Sequence, residues 1–504
     1  VGESGANNLL QLIESSHGSK EKRRFTTKFF AEITPFEGLK IDANYFQDFY
    51  SYYESYVWDD QPRWNFQTET ETWTGMDPSI GLRRQNTESK SESYNFNVFA
   101  TYSKKMREHA YSGMVGYEQG LGIGKGFYNL RQGVYSVDVP NATAAEDILS
   151  GAHNEEDAYQ SIFSRVNYSY KDKYLLEVNW RFDGSSRFSK GHRWGNFPSV
   201  SFAWRASEEP FWNSVKDKIE NLKIRLSYGA LGNNNVGLYA TREVYNSANT
   251  PFGDKIQGGL LPGGFVNDLL TWEKTQVFDL GFDISFLNDF NFTLDFYDKK
   301  TLNILTSQPI SFNNGTSSGP VINGPKIQNR GIELELAYMK NISPDLGIQI
   351  KLNAAYNQNK VLKYEGKDKL ISGGGTPYGY IVEGQPIGKF YIMKVENIVQ
   401  DKATIDAMIA DGYRFGLGGI PNPGDFLFAD TYGDKRINEN DRVLIGRPQP
   451  ELTFGTTFNI NFKNFDVNAV LSGILGWDRY INNQFTSLSA HTVGYLYPSE
   501  FLNM

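Results

Sequence analysis

The 504-residue sequence contains no cysteine, so a disulfide framework, a thiolate metal site and a cysteine nucleophile are all excluded. Its five histidines (His17, His109, His153, His192, His491) lack ligand spacing, and no HExxH occurs. No window approaches the roughly 20 consecutive apolar residues that a membrane-spanning helix needs. Nor is there a basic stripe, and with a net charge of −8 the chain does not read as a nucleic-acid binder. Barrels evade the hydropathy test, because only alternate residues of a spanning strand face lipid.

What the chain does have is aromatic and glycine residues, with Phe 35, Tyr 30, Trp 9 and Gly 49, which suit an all-β architecture with many strands. The clearest pattern runs from Thr271 to Lys300. Phe278, Leu280, Phe282, Ile284 and Phe286 alternate with Val277, Asp279, Gly281, Asp283 and Ser285. After a short turn at Asn288 and Asp289, Phe290, Phe292, Leu294 and Phe296 alternate with Asn291, Thr293, Asp295 and Tyr297. A period of two puts one greasy and one wet face on this hairpin. In a soluble sandwich the greasy face turns into a core; in an outer-membrane barrel it turns outward to lipid.

Similar alternation recurs along the chain and predicts about fourteen strands of roughly ten residues, the length that a tilted strand needs to cross a bilayer. Residues 1–22 read as part of a loop, 23–479 as barrel strands and loops, and 480–504 as a further loop. Connections near Pro35, Lys105, Lys171, Asn288, Pro344 and Asn464 read as short, and those between them as long, the longest being 360–449. Gly120 to Ala158 reads as one of the long connections, and Glu208 to Ile219 as one short helix. Loops that are long on one side only are expected of an outer-membrane barrel and not of a sandwich. Tyr102, Tyr168, Trp204, Tyr228, Tyr338 and Tyr356 at strand ends fit an interfacial girdle. The fold expected is therefore an antiparallel transmembrane β-barrel. With no initiator Met at Val1 and a loop-like stretch at Met504, the sequence reads as an internal piece of a longer protein.

Candidate sites are few. Trp58, Trp64 and Trp73, beside Asp59 and Asp60, are residues that could stack on sugar rings and bind hydroxyls; loop self-packing is the equal alternative. Tyr378 and Tyr380, after Gly373 to Gly375, read as part of a mobile external loop. Asp430, Asp434, Asn438 and Asp441 fall at positions 1, 5, 9 and 12 of a calcium-loop spacing. Tyr432 stands where a ligand belongs and Lys435 where the sharp turn wants Gly, which favours a plain structural turn over a cation site. GLGIGKG (Gly120–Gly126) lacks the Walker spacing and reads as a flexible loop. Glu333 and Glu335 read as solvated lining of a pore, not as a catalytic pair. Nothing in the sequence calls for an enzyme.

Longer motifs carry a resemblance. KDKYLLE, R-x-DGSSRF, WGNFPSVS-x-x-WR and LK-x-R-x-SYG lie within Tyr170 to Gly232. LTWEKT, NRGIELEL, EGQPIGKFY and GDFLFADTYGDKRINENDRVLIGRPQPELTFG follow in order to Gly455. Together they resemble the SusC/RagA family of TonB-dependent outer-membrane transporters. The resemblance implies a 22-strand barrel enclosing a plug, energy from a TonB complex, a SusD-like lipoprotein lid, and oligosaccharide or peptide cargo. The plug, the TonB-contacting segment and the closing strands have no counterpart in the sequence. A passive porin or a carbohydrate-binding surface β-protein is the alternative.

Overall fold

The computed structural model describes residues 16–479, except 59–62, 66–69, 73–81, 135–145, 254, 309, 311–312, 314–318, 365–368, 371–377 and 417–418. Its frame is one antiparallel sheet of 14 strands, each paired with its neighbour along the chain. In order these are β1 (Ser16–Phe36), β2 (Leu39–Trp58), β3 (Leu82–Met106), β4 (His109–Val134), β5 (Glu146–Tyr170), β6 (Tyr174–Ser185) and β7 (Trp194–Arg205). They continue as β8 (Ile219–Asn233), β9 (Glu273–Phe286), β10 (Phe290–Leu302), β11 (Lys326–Ser343), β12 (Leu346–Lys363), β13 (Leu452–Phe462) and β14 (Phe465–Leu475).

Register turns the alternation of single strands into bands that run across the sheet. One row reads Tyr111, Tyr168, Leu176, Phe202, Leu226, Leu280, Phe296, Ile332, Tyr356, Leu452 and Leu475, each directly opposite the next on strands β4 to β14. One residue away, on the other face, Ser112, Asn167, Glu177, Ser201, Ser227 and Asp279 form a polar row on β4 to β9. The apolar face is uncovered: Phe202 is 41% exposed, Leu226 43%, Phe278 47% and Ile332 41%. A sandwich would bury such a face under a second sheet about 10 Å away, so that reading is excluded.

The first five strands run to 20–26 residues, about twice what a bilayer crossing needs. Leu39 pairs with Tyr102 at the short-turn end, and Trp58 with Arg83 at the other. The surplus therefore projects on the long-loop side. This corrects three readings. β1 begins at Ser16, inside the stretch 1–22 read as loop. The stretch from Gly120 to Ala158 is mostly the paired arms of β4 and β5, with 135–145 between them. GLGIGKG is strand, bonded to β3 and β5 on its two sides. Glycine hides such a strand because it contributes nothing to an alternation. Its use here is space: a Cβ at Gly120 would lie 2.4 Å from the Tyr159 ring, whereas Gly124 has open space above it.

The connections do not alternate strictly either. On the long-loop side β6 and β7 are joined by only 186–193, while on the turn side β7 and β8 are joined by the longer 206–218. That turn is not one helix but two short 3-10 turns, Ala206–Glu208 and Pro210–Ser214. Pro210 is the reason: it disfavours the helical region for the residue before it, and Glu209 is extended at φ −84°, ψ 149°.

Between β12 and β13 the chain builds a small unit with a core of its own. Val399, Ile405, Leu427 and Ile437 are buried against Met393, Met408, Tyr413 and Phe415. Its helix α1 (Lys402–Ala410) starts where the Asp401 carboxylate accepts the Thr404 amide at 2.8 Å.

Candidate functional site

The polar face of the sheet is its hollow face. A cavity of about 670 Å³ lies there, its wall including Ser112, Asn167, Glu177, Ser201, Arg225 and Asp279 of β4 to β9. Several charges on this wall are paired with one another. Arg225 on β8 donates to both Asp283 carboxylate oxygens at 3.0 Å and reaches Asp295, two strands away, at 2.8 Å. Gly281 is what permits the reach. It stands between Arg225 and Asp295 in register, and a Cβ there would lie 2.2 Å from the Asp295 oxygen. Further round, Arg181 holds Asp183 at 2.9 Å and Glu118 at 3.3 Å and donates to Ser161 at 3.1 Å. Tyr297 donates to Asn357 across Gly331, which sits between them in register. Where charges are paired in this way, the wall stays polar without leaving those charges stranded.

Above the wall, at the long-loop end, three elements close into a cluster. Phe188 and Leu270 are 1% and 0% exposed and pack with Val236, against the Trp272 ring at 5.5 Å from that of Phe188. Arg187 clamps the cluster, donating to Asp157 at 2.7 Å and to the Val236 carbonyl at 2.6 Å. The DGSSRF motif therefore ties the β6–β7 loop to β5 and to the connection 234–272. Nothing in residue periodicity marks Phe188 as the centre of a core.

Of the loop residues proposed to meet a ligand, Asp59, Asp60 and Trp73 lie outside the described residues. Trp58 ends β2, and Trp64 lies in the short strand Arg63–Asn65, opposite Glu71. Tyr378 and Tyr380 do not sit in an irregular loop; they belong to the strand Tyr378–Ile381 of a small sheet with Lys389–Met393 and Arg442–Ile445. The Tyr380 ring packs at 4.8 Å on that of Tyr391. The unit is pinned to β12: the Asn359 side chain accepts the Ile387 amide at 2.9 Å, the Gly384 amide donates to the Val361 carbonyl at 2.9 Å, and the Val361 amide donates to the Gln385 carbonyl at 2.9 Å.

Asp430, Asp434, Asn438 and Asp441 do come together in one turn, but their oxygens are taken by the backbone. Asp430 accepts from Gly433 at 2.6 Å and Lys435 at 2.8 Å, and Asp434 from Arg436 at 2.8 Å. Asp441, fully buried, accepts from Tyr432 at 3.0 Å and Asn438 at 2.8 Å. Asn438 caps the 3-10 turn that follows it. Lys435 takes the left-handed conformation expected of Gly, φ 59°, and sends its ammonium to Asp411 at 3.0 Å. Among the described residues no three His, Asp or Glu side chains converge as a cation would require.

Two outcomes follow for this turn. Excess chelator should leave the melting temperature of the assembled protein unchanged, and Asp441→Ala should weaken the unit by about 1–3 kcal/mol by removing the acceptor of the Tyr432 and Asn438 amides. Burial works against ionisation of Asp441, but the Asn438 and Tyr432 amides outweigh it and hold its carboxyl below the usual range. At Asp401 the Thr404 amide and hydroxyl do the same. A folded-state pKa below the unfolded one gives support that is complete above about pH 4 to 5 and is lost as pH falls through the folded value. The protection of α1 amides, corrected for the intrinsic pH dependence of exchange and followed from pH 6 downward, should therefore fall only on the acid side.

Comparison with known proteins adds three findings. Residues 14–441 match the family described as "TonB dependent receptor-like, beta-barrel". TonB-dependent receptor P3 of Formosa agariphila is 31% identical over 409 residues, covering 78% of this chain and 39% of that protein. TonB-dependent receptor SusC of Bacteroides thetaiotaomicron is 28% identical over 410 residues, covering 79% and 38%. Among solved structures, that of the RagAB peptide transporter aligns with a TM-score of 0.76 at 21% identity, over 92% of this chain and 49% of that one. At that identity the structure supports the barrel fold alone. The chain spans about two fifths of the length of these curated relatives.

Proposed function

Because the chain belongs to the TonB-dependent receptor β-barrel family, we propose that it forms the greater part of the wall of an outer-membrane importer. In this reading the apolar row through Leu226, Leu280 and Phe296 faces lipid, and the polar row through Ser227 and Asp279 lines the conduit. Those two opposed rows carry the reading. Transport is active: a plug fills the lumen, held by individually modest polar contacts to residues such as Lys223, Glu333, Glu335 and Lys351, and TonB pulls it aside. Oligosaccharides or peptides are the cargo, met by Trp58, Asp59, Asp60, Trp64, Trp73, Tyr378 and Tyr380, and a SusD-like lipoprotein closes over the long-loop side.

The test uses cells expressing the full-length receptor. Deleting Lys367 to Tyr380 should weaken copurification of the lid and slow cargo uptake, leaving barrel assembly intact. Removing TonB should stop uptake. Uptake that persists without TonB would favour a passive porin instead.

A further inference from the structure

The 206–218 turn is the outlier among the short-side connections, and its side chains are arranged for an interface. Glu209, between the two 3-10 turns, accepts from the Tyr174 hydroxyl at 2.7 Å and the Trp204 indole at 3.3 Å, and pairs with Lys173 at 3.4 Å. Tyr174 and Trp204 are register partners on the apolar face. The turn is therefore folded toward the outside of the wall and not across its hollow side. Phe211 follows, its ring 6.4 Å from that of Trp204 and its side chain 63% exposed, and Val215 is 40% exposed. Trp212 is tied down by donating to the Ile219 carbonyl at 2.9 Å, which fixes the direction in which Phe211 and Val215 point. The ring series continues through Tyr174, Tyr170, His109 and Tyr168 along the ends of β4 to β6.

In the segments around the 206–218 turn the charge is of the opposite sign to that of the whole chain. Segments 104–109, 171–173 and 205–218 hold eight Lys and Arg against five Asp and Glu, while the protein carries −8. Lys171 is paired with Glu108, Lys173 with Glu209 and Arg205 with Glu208. Lys216 and Lys218, both exposed, make no ion pair among the described residues, and only Asp217 stands between them. Exposed aromatic and aliphatic side chains beside free lysines, at the edge of an apolar wall, match the boundary between acyl chains and anionic headgroups.

We propose that the 206–218 turn is a lipid anchor: Phe211 and Val215 insert at the acyl boundary of the periplasmic leaflet, and Lys216 and Lys218 hold the phosphate of an anionic phospholipid. The inference rests on the membrane-barrel reading above, so its test separates the two. In a cysteine-free full-length receptor, Asn213→Cys and Phe202→Cys carry a fluorophore, one at a time. The receptor is placed in phosphatidylethanolamine vesicles with about one third phosphatidylglycerol, with a headgroup nitroxide on either lipid in turn. Both labels should be quenched. At Asn213 the nitroxide on phosphatidylglycerol should quench severalfold more strongly than the one on phosphatidylethanolamine. High salt, or the pair Lys216→Gln and Lys218→Gln, should remove that preference without altering quenching at Phe202. Quenching at Phe202 with none at Asn213 overturns the anchor alone, and a water-shielded but unquenched Asn213 label assigns the face to a protein partner. Equal quenching by the two lipids overturns the anionic headgroup. No quenching at either position overturns the membrane reading with it.

Discussion

Leu280→Arg in the full-length receptor should sharply reduce the folded, heat-modifiable fraction in the outer membrane, whereas Asp279→Arg, one residue earlier, should be tolerated far better. Leu280 lies mid-row between Leu226 and Phe296, which are 43% and 39% exposed with no second layer over them. An arginine on the lipid face near the midplane costs about 2–4 kcal/mol. At position 279 the side chain faces the polar hollow of the wall and not lipid, and a new cation there meets the carboxylates of Asp295 and Glu333 as well as the Arg225 guanidinium. Both variants are read by gel mobility with and without heating. If the two exchange behaviour, the apolar rows are a core and the barrel assignment fails.

Phe188→Ala should cost about 3–5 kcal/mol locally, as expected for deleting a fully buried ring. Phe188→Leu, which keeps most of the volume, should cost under about 1.5 kcal/mol. The loss stays local because the cluster of Phe188, Val236 and Leu270 binds loops to one another, while the strands beneath are held by their own ladders. Amide exchange should rise at 186–193, 236–240 and 270–272, with the β6 to β9 ladder unchanged. Unchanged protection in those three segments would show that Arg187 and its bonds to Asp157 and Val236 suffice without the ring.

The sheet was legible because its side chains announce it. Where a strand alternates large apolar with polar residues, as β9 and β10 do, both the strand and the face follow from the order of residues. The same rule failed at Gly120–Gly126, where the inward positions carry no side chain and the strand is specified by partners such as Tyr159 on β5. Gly281 was read as one polar-face residue among several. Its purpose, to let Arg225 reach Asp295, depends on which strands adjoin and cannot be seen within one strand. Helix α1 did carry a signal, an Asp401 cap at Thr404 followed by Ile405, Met408 and Ile409 at helical spacing, but it lay within a connection read only as a long loop. The degenerate calcium spacing is ambiguous for a related reason: a carboxylate that organises a turn through backbone amides occupies the same positions as one that binds a cation.

Single cysteines introduced in turn at positions 278, 279, 280, 282 and 283 of β9, in a cysteine-free full-length receptor assembled in the outer membrane, test the central claim most directly; Gly281 is kept, because a side chain there would meet Arg225 and Asp295. Accessibility should follow a period of two: 279 and 283 react with a water-soluble maleimide, while 278, 280 and 282 resist it and are quenched by nitroxide lipids. Reactivity in the reverse phase, or uniform along the five positions, would contradict a wall with lipid on one face and a conduit on the other.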